Sequence, residues 1–223
     1  PIINAALKLY SQEVCVTGDT KISLPGKDMT IDEILQDPIK KLYFSVKAFD
    51  ISTGRFDFNI CHGIKDNGIK PVFEVTVQRN IPEELREYDT IEVAKFKCTS
   101  NHKILCADFQ YRELKDVKVG DLILSSYQDI DPDCNCKKDK INSTVILSIE
   151  QAGEEKVYDL FNIIPNHNFL IKLTNSFSVI VHNCNKDEEG RIIKIVSDEY
   201  KVKETIEECF DRNLKLNTKS YHL

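Results

Sequence analysis

The chain has 223 residues, 41% of them apolar, and a formal net charge of −6. That length holds one large or two small domains with a sizeable core, and the acidic balance excludes a broad basic surface for nucleic acid. No apolar run approaches membrane-spanning length and no charged-then-apolar leader opens the chain, so a cytoplasmic protein with no membrane partner is expected, its eight cysteines reduced.

Residues 1–14 read as part of a helix, with Ile2, Ile3, Ala6, Leu7 and Tyr10 at helical spacing, and look cut from a larger protein. From Cys15 onward the pattern changes to short β-rich segments separated by turn signals. A strand at 21–24 ends at Pro25-Gly26, and Thr30 with Glu33 forms a capping box for a short helix through Leu35. Segments 44–51 and 55–65 flank Ser52-Thr53-Gly54 as a hairpin, and Asp66-Asn67-Gly68 turns the chain into a strand at 72–77. Further strands are expected at 90–97, 103–107, 122–125, 144–150, 157–161, 169–173 and 177–181. The expected fold class is all-β, sandwich-like or barrel-like. After Cys184 come a polar turn, a strand at 191–196 and an amphipathic helix over 199–214.

The stretch 177–184 ends an apolar run in three residues that carry chemistry. The Asn183 side chain can attack its own backbone carbonyl, close a succinimide and cut the chain. His182 can move the protons this needs, and Cys184 can form a thioester with an upstream acyl group.

Four motifs together resemble those of inteins, the self-splicing elements of the Hint superfamily. Cys15-Val16-Thr17-Gly18-Asp19-Thr20 is similar to the start of an intein, and Thr99-Ser100-Asn101-His102 matches the family's Thr-x-x-His motif. Val157-Tyr158-Asp159-Leu160 through His167-Asn168-Phe169 resembles the penultimate motif, and Val181-His182-Asn183-Cys184 the terminal one. The resemblance implies a horseshoe-like Hint fold of short strands, pseudo-two-fold in arrangement, with adjacent termini. It divides the chain into an upstream flank at 1–14, a splicing domain at 15–183 and a downstream flank at 184–223. Segment 15–183 is too short to add a homing endonuclease, so a mini-intein is expected, its endonuclease position reduced to a polar loop around residues 127–142.

The resemblance also implies roles. Cys15 takes the Val14 acyl group from its own amide nitrogen. Thioester formation needs a weakened peptide bond, which strain of about 1–3 kcal/mol and oxyanion donors of about 2.7–4 kcal/mol each can supply. His102 is the proton donor to the departing nitrogen, while Thr99 and Asn101 orient the scissile peptide. Cys184 then takes over the acyl group as a thiolate, with Asp159 tied to this coordination. His182 assists cyclisation of Asn183, and His167 activates the Asn183 side-chain nitrogen. The stretch Phe161-Asn162-Ile163-Ile164-Pro165 departs from the short polar connection usual in the family.

No cofactor is expected, and the chain acts in cis on its own flanks, once per molecule, as a monomer. Zinc held by Cys15, Cys184 and the histidines would inhibit the reaction. Cys134 and Cys136 sit one residue apart in the expected loop, where a metal or a disulfide competes with simple exposure. Cys61, Cys98 and Cys106 read as core or edge positions. Two other readings stand beside splicing: a cleavage-only Hint autoprocessing domain, and a binding module framed by metal or disulfides.

Overall fold

The structure, a computed structural model, describes residues 14–40, 43–80, 91–131 and 136–183. The chain divides into two units, Pro1–Asn185 and Lys186–Leu223, and every described residue belongs to the first. The elements expected at 1–14, 191–196 and 199–214, as well as Cys134 and Cys184, lie outside the described residues.

Strand β1 (Val16–Thr17) leads into a hairpin of β2 (Lys21–Leu24) and β3 (Lys27–Thr30), followed by helix α1 (Ile31–Gln36). The capping box forms as the sequence predicts: Thr30 Oγ1 accepts from the Glu33 amide at 3.2 Å, and Glu33 Oε2 accepts from the Thr30 amide at 2.7 Å. The first turn of α1 also closes over the segment after Cys15, because the Asp32 amide donates to Gly18 O at 3.0 Å. A Cβ at residue 18 would collide with the Asp32 carboxylate, so a larger residue there would have to displace that side chain.

Strands β4 (Phe44–Asp50) and β5 (Arg55–Cys61) form a separate two-stranded hairpin, and β6 (Ile64–Arg79) returns the chain to the large sheet that holds β1, β2 and β3. Then come β7 (Val93–Cys98), β8 (Lys103–Leu105), β9 (Tyr111–Glu113), β10 (Leu122–Asp131), β11 (Cys136–Leu160), β12 (Asn168–Lys172) and β13 (Phe177–His182). The main sheet runs β1-β7-β6-β11-β10-β13-β12-β2-β3, with β8 joining β13 and β9 at its side, and β1 also pairing with β11. The fold class is therefore all-β, as expected, although two of the strands are long.

Both long strands contain features that read as breaks. Residues 144–150 and 157–160 lie within the single strand β11, which passes Gly153 at φ 90° through a register shift and ends one residue short of the expected 161. Opposite that shift sits Pro71, which has no amide to donate and is tolerated at a bulge. Asp66-Asn67-Gly68 is likewise not a turn: it lies within β6, and the expected strand at 55–65 ends at Cys61. The loop expected around 127–142 is a paired hairpin, with register from Leu122↔Val145 out to Asp131↔Cys136. Its polar sequence hid it, because an arm without a buried face satisfies its backbone through its partner and shows no apolar alternation.

The terminal strand is the best buried. All five residues of β12 are buried, as are Phe177 to Val181 of β13, which pairs with β12, β10 and β8. Apolar residues on both faces explain the uninterrupted run seen in the sequence. Ile180 and Leu170 pack on Phe49 of β4, and the Asn168 side chain bonds both the amide and the carbonyl of Phe49 at 2.8 Å. That buried amide locks the small hairpin onto the strand pair that delivers Asn183. Among the described residues no helix is long and apolar enough to cross a membrane.

Candidate active site

Cys15 is fully buried just before β1, and its backbone is held on both sides by one residue. The Cys15 amide, which is the nitrogen of the Val14–Cys15 peptide bond, donates to Thr99 Oγ1 at 3.2 Å. The Cys15 carbonyl accepts from the Thr99 amide at 3.0 Å and from its hydroxyl at 3.4 Å. Thr99 follows directly on β7, whose Cys98 pairs with Val16, so the sheet itself sets this clamp. Val16 also pairs with Tyr158, and the same antiparallel register carried one residue further sets Cys15 level with Asp159. Asp159 is buried, and its charge helps to push up the Cys61 thiol.

His102 connects the two ends of the segment. It is buried before β8, edge-on to Phe169 at 6.4 Å between ring centroids, and Phe169 is paired with Val181. Neither ring nitrogen has a well-formed hydrogen bond among the described residues. Burial drives its pKa down to about 3; the charge of His182 pushes the same way and the Cys15 backbone pulls it up. His102 thus lies within electrostatic reach of both Cys15 and His182. His182 meets the Tyr111 ring edge-on at 4.9 Å, and burial, together with Lys103, lowers its pKa to about 4.

These shifts fix a pH dependence of stability. A histidine with a folded pKa below its unfolded value keeps the fold at full stability above about pH 6.5, and that stability is lost as pH falls toward the folded pKa. For His102 the window is pH 6.5 to 3, for His182 pH 6.5 to 4. Urea unfolding should show a loss of about 2 kcal/mol from His102 between pH 7 and pH 5. The His102→Gln variant should lose correspondingly less over the same interval; an identical slope would contradict the burial account.

Asn183 is fully buried in a seat made largely of backbone. Its amide donates to His167 O at 3.1 Å. With the side chain oriented to satisfy its partners, the Asn183 side-chain nitrogen donates to the same oxygen at 2.6 Å, while its oxygen accepts from the amides of Ile163 (3.1 Å) and Asn162 (3.2 Å). His167 meets Asn183 through its carbonyl, while the Nδ1 of its ring is buried with no hydrogen-bond partner among the described residues. Asn162 (φ 49°) and His167 (φ 53°) both adopt the left-handed region, a strained geometry for residues with a Cβ. The stretch 161–165 supplies the two amides of this seat. Asn101 has interactions of its own in the turn before His102, and Val14 is buried directly before Cys15.

Sequence reading missed one contact. Asn67 Nδ2 donates to Cys15 Sγ at 3.0 Å. The only signal was the Asn-Gly pair, which marks left-handed backbone and reads first as a turn. Burial disfavours ionisation of the Cys61 and Cys98 thiols. Cys61 is pushed up to about 12, chiefly by burial, and donates to Gly63 O at 3.2 Å; burial raises Cys98 further still. Cys98 packs with Val16, and the charge of the nearby Cys15 adds to burial in raising it. Among the described residues no group of three or more metal-ligating side chains converges.

No protein-family model matches the chain, and no curated protein matches it. Solved structures do. A DnaB intein from Synechocystis sp. PCC 6803 is 22% identical, with a TM-score of 0.56, over 78% of this chain and all of that one (100%). The DnaX mini intein from Spirulina platensis is 22% identical, TM-score 0.53, over 76% of this chain and 99% of its own. A bacterial intein-like domain from Clostridium thermocellum is 19% identical, TM-score 0.50, over 78% and 100%. The described residues have the fold of these proteins.

Proposed function

We propose that residues 15–183 form a mini-intein that excises itself and joins Val14 to Cys184, with 1–14 and 184–223 as the flanks it connects. The observation that carries this reading is the placement of His102: its amide donates at 3.0 Å to the carbonyl of Thr99, the residue that clamps Cys15, and its buried ring packs on Phe169, the strand partner of Val181 just before His182 and Asn183. A reaction that must cut at two distant peptide bonds needs such a shared centre.

The steps follow the residues. The Cys15 sulfur attacks the Val14 carbonyl, the carbon–sulfur bond forms, and the carbon–nitrogen bond breaks as the nitrogen takes a proton. Thr99 holds that nitrogen, and His102 hands over the proton: when loaded, an imidazole of such low pKa is a strong acid. Cys184 next displaces Cys15 from the acyl group, in the region of Asp159. The Asn183 side-chain nitrogen then attacks its own carbonyl, releases the Cys184 amine and forms a succinimide. The His167 carbonyl holds the attacking nitrogen, and His182 protonates the leaving one. Finally the acyl group moves from sulfur to nitrogen and restores a peptide bond.

The mass of the products tests the reading. Splicing predicts a free 15–183 piece and a product in which 1–14 is joined to 184–223. The cleavage-only alternative predicts release at Cys15 without joining, and leaves the tight seat of Asn183 without a task. Val14 adds a second expectation. Its β-branch crowds the carbonyl that both sulfurs attack, so Val14→Gly should raise the rate of thioester formation several-fold. An unchanged or slower rate would remove the steric argument.

A further inference from the structure

We infer that the side-chain amide of Asn67 is a catalytic hydrogen-bond donor that holds the Cys15 sulfur as a thiolate aimed at the Val14 carbonyl, a role that rests on the splicing reading above. The contact is direct, Nδ2 to Sγ at 3.0 Å, and it reaches from the half-buried Asn67 to the fully buried Cys15, in the apolar pocket that the thiol shares with Val72 and Val157. In such a pocket water cannot solvate a thiolate, so one fixed donor has a large effect on where the thiol ionises.

The backbone is built to deliver this side chain. Strand β6 pairs with β11 through Tyr158↔Asp66 and Lys156↔Ile69, so Asn67 and Gly68 together oppose Val157 alone. This is a β-bulge, the device that re-aims a side chain out of a regular ladder. It sits where Val157 and Tyr158 pair with Thr17 and Val16, the two residues after the nucleophile. Three features pin it: Gly68 at φ 73°, the Gly68 amide donating to Asp66 Oδ1 at 2.9 Å, and Lys156 paired with Asp66 at 2.8 Å. A residue at 68 with a Cβ meets no neighbour but must adopt a left-handed backbone, so the glycine serves the bulge's shape and not its packing.

The chemistry balances without a further reagent. The thiol proton leaves to solvent or a neighbouring base, and the sulfur electron pair forms the bond to the Val14 carbon. The carbon–nitrogen pair takes up a proton as the Cys15 amine. Asn67 donates its hydrogen bond to the sulfur while that sulfur is charged and is not consumed.

The test uses the full chain carrying Asn183→Ala and Cys184→Ala, so that the Cys15 thioester is read alone. Thioester at Val14–Cys15 is measured by hydroxylamine cleavage across pH, and Cys15 ionisation by the shift of its labelled β-carbon, assigned with Cys15→Ser. Asn67→Ala should raise the Cys15 midpoint by about one pH unit, a tenfold loss of thiolate and of thioester rate at pH 7. Asn67→Asp, the same shape with a repelling charge, should raise it further. Gly68→Ala keeps the amide but strains the bulge, and should give an intermediate shift if Asn67→Ala does not fold. In the chain with Asn183 intact, Asn67→Ala should slow cleavage at Val14–Cys15 far more than cleavage at Asn183–Cys184. Equal slowing of both, or unshifted Cys15 midpoints in the folded variants, would overturn the assignment. The ionisation readout does not require splicing: a shifted midpoint in a chain that never forms thioester would uphold the Asn67 contact and refute the splicing reading instead.

Discussion

Replacing Asn183 with alanine is expected to abolish cleavage at Asn183–Cys184 while leaving the Val14–Cys15 junction open to hydroxylamine. Only a side-chain amide can close the succinimide, so the loss at the downstream junction should be complete. The seat of Asn183 gives the reason to expect a reactive arrangement and not a merely buried amide. Its nitrogen is held by one carbonyl and its oxygen by two amides, which fixes the side-chain torsions before reaction. Asp at this position tests the seat. Its carboxylate keeps the two accepted bonds but brings an acceptor against His167 O, so Asn183→Asp should both lose cyclisation and destabilise the fold by about 1–3 kcal/mol. Chemical unfolding beside a mass measurement separates the two effects.

The second large effect concerns His102. His102→Leu should slow thioester formation at Val14–Cys15 by about 10²–10⁴-fold, the usual contribution of a positioned proton donor. The same variant should leave stability unchanged or raise it by about 1–3 kcal/mol. The imidazole is buried with two ring nitrogens that lack well-formed hydrogen bonds among the described residues, and an apolar side chain of similar size removes that cost. Loss of activity with retained or improved stability marks a residue kept for reaction. A chain that unfolds on this replacement would instead make His102 a structural member of the core.

The parts of the site that were legible in the sequence are those whose residue types are tied to the chemistry. Cys15, Thr99, His102 and Asn183 could be named as candidates because few side chains are suited to attack, clamp, protonate or cyclise, and the strands beside them are apolar enough to be recognised. The capping box of α1 was legible because its two hydrogen bonds are local. What escaped depends on pairing between distant strands. The bulge that aims Asn67, the continuation of β11 through Gly153 and the hairpin beyond Leu122 are all set by register, and register leaves little trace in a single strand's composition. The use of the His167 carbonyl was hidden for a related reason, since backbone groups are the same at every position.

The central claim is that both junctions meet in one buried centre, so that the Val14 carbonyl can pass from Cys15 to Cys184. Digestion of the folded Asn183→Ala chain with an acid protease, followed by peptide mass mapping, tests it most directly. The account predicts a branched peptide in which Val14 is bonded to the Cys184 sulfur while Cys15 carries a free amine. Finding Val14 on Cys15 alone, as peptide or thioester, in a chain that remains folded would contradict it.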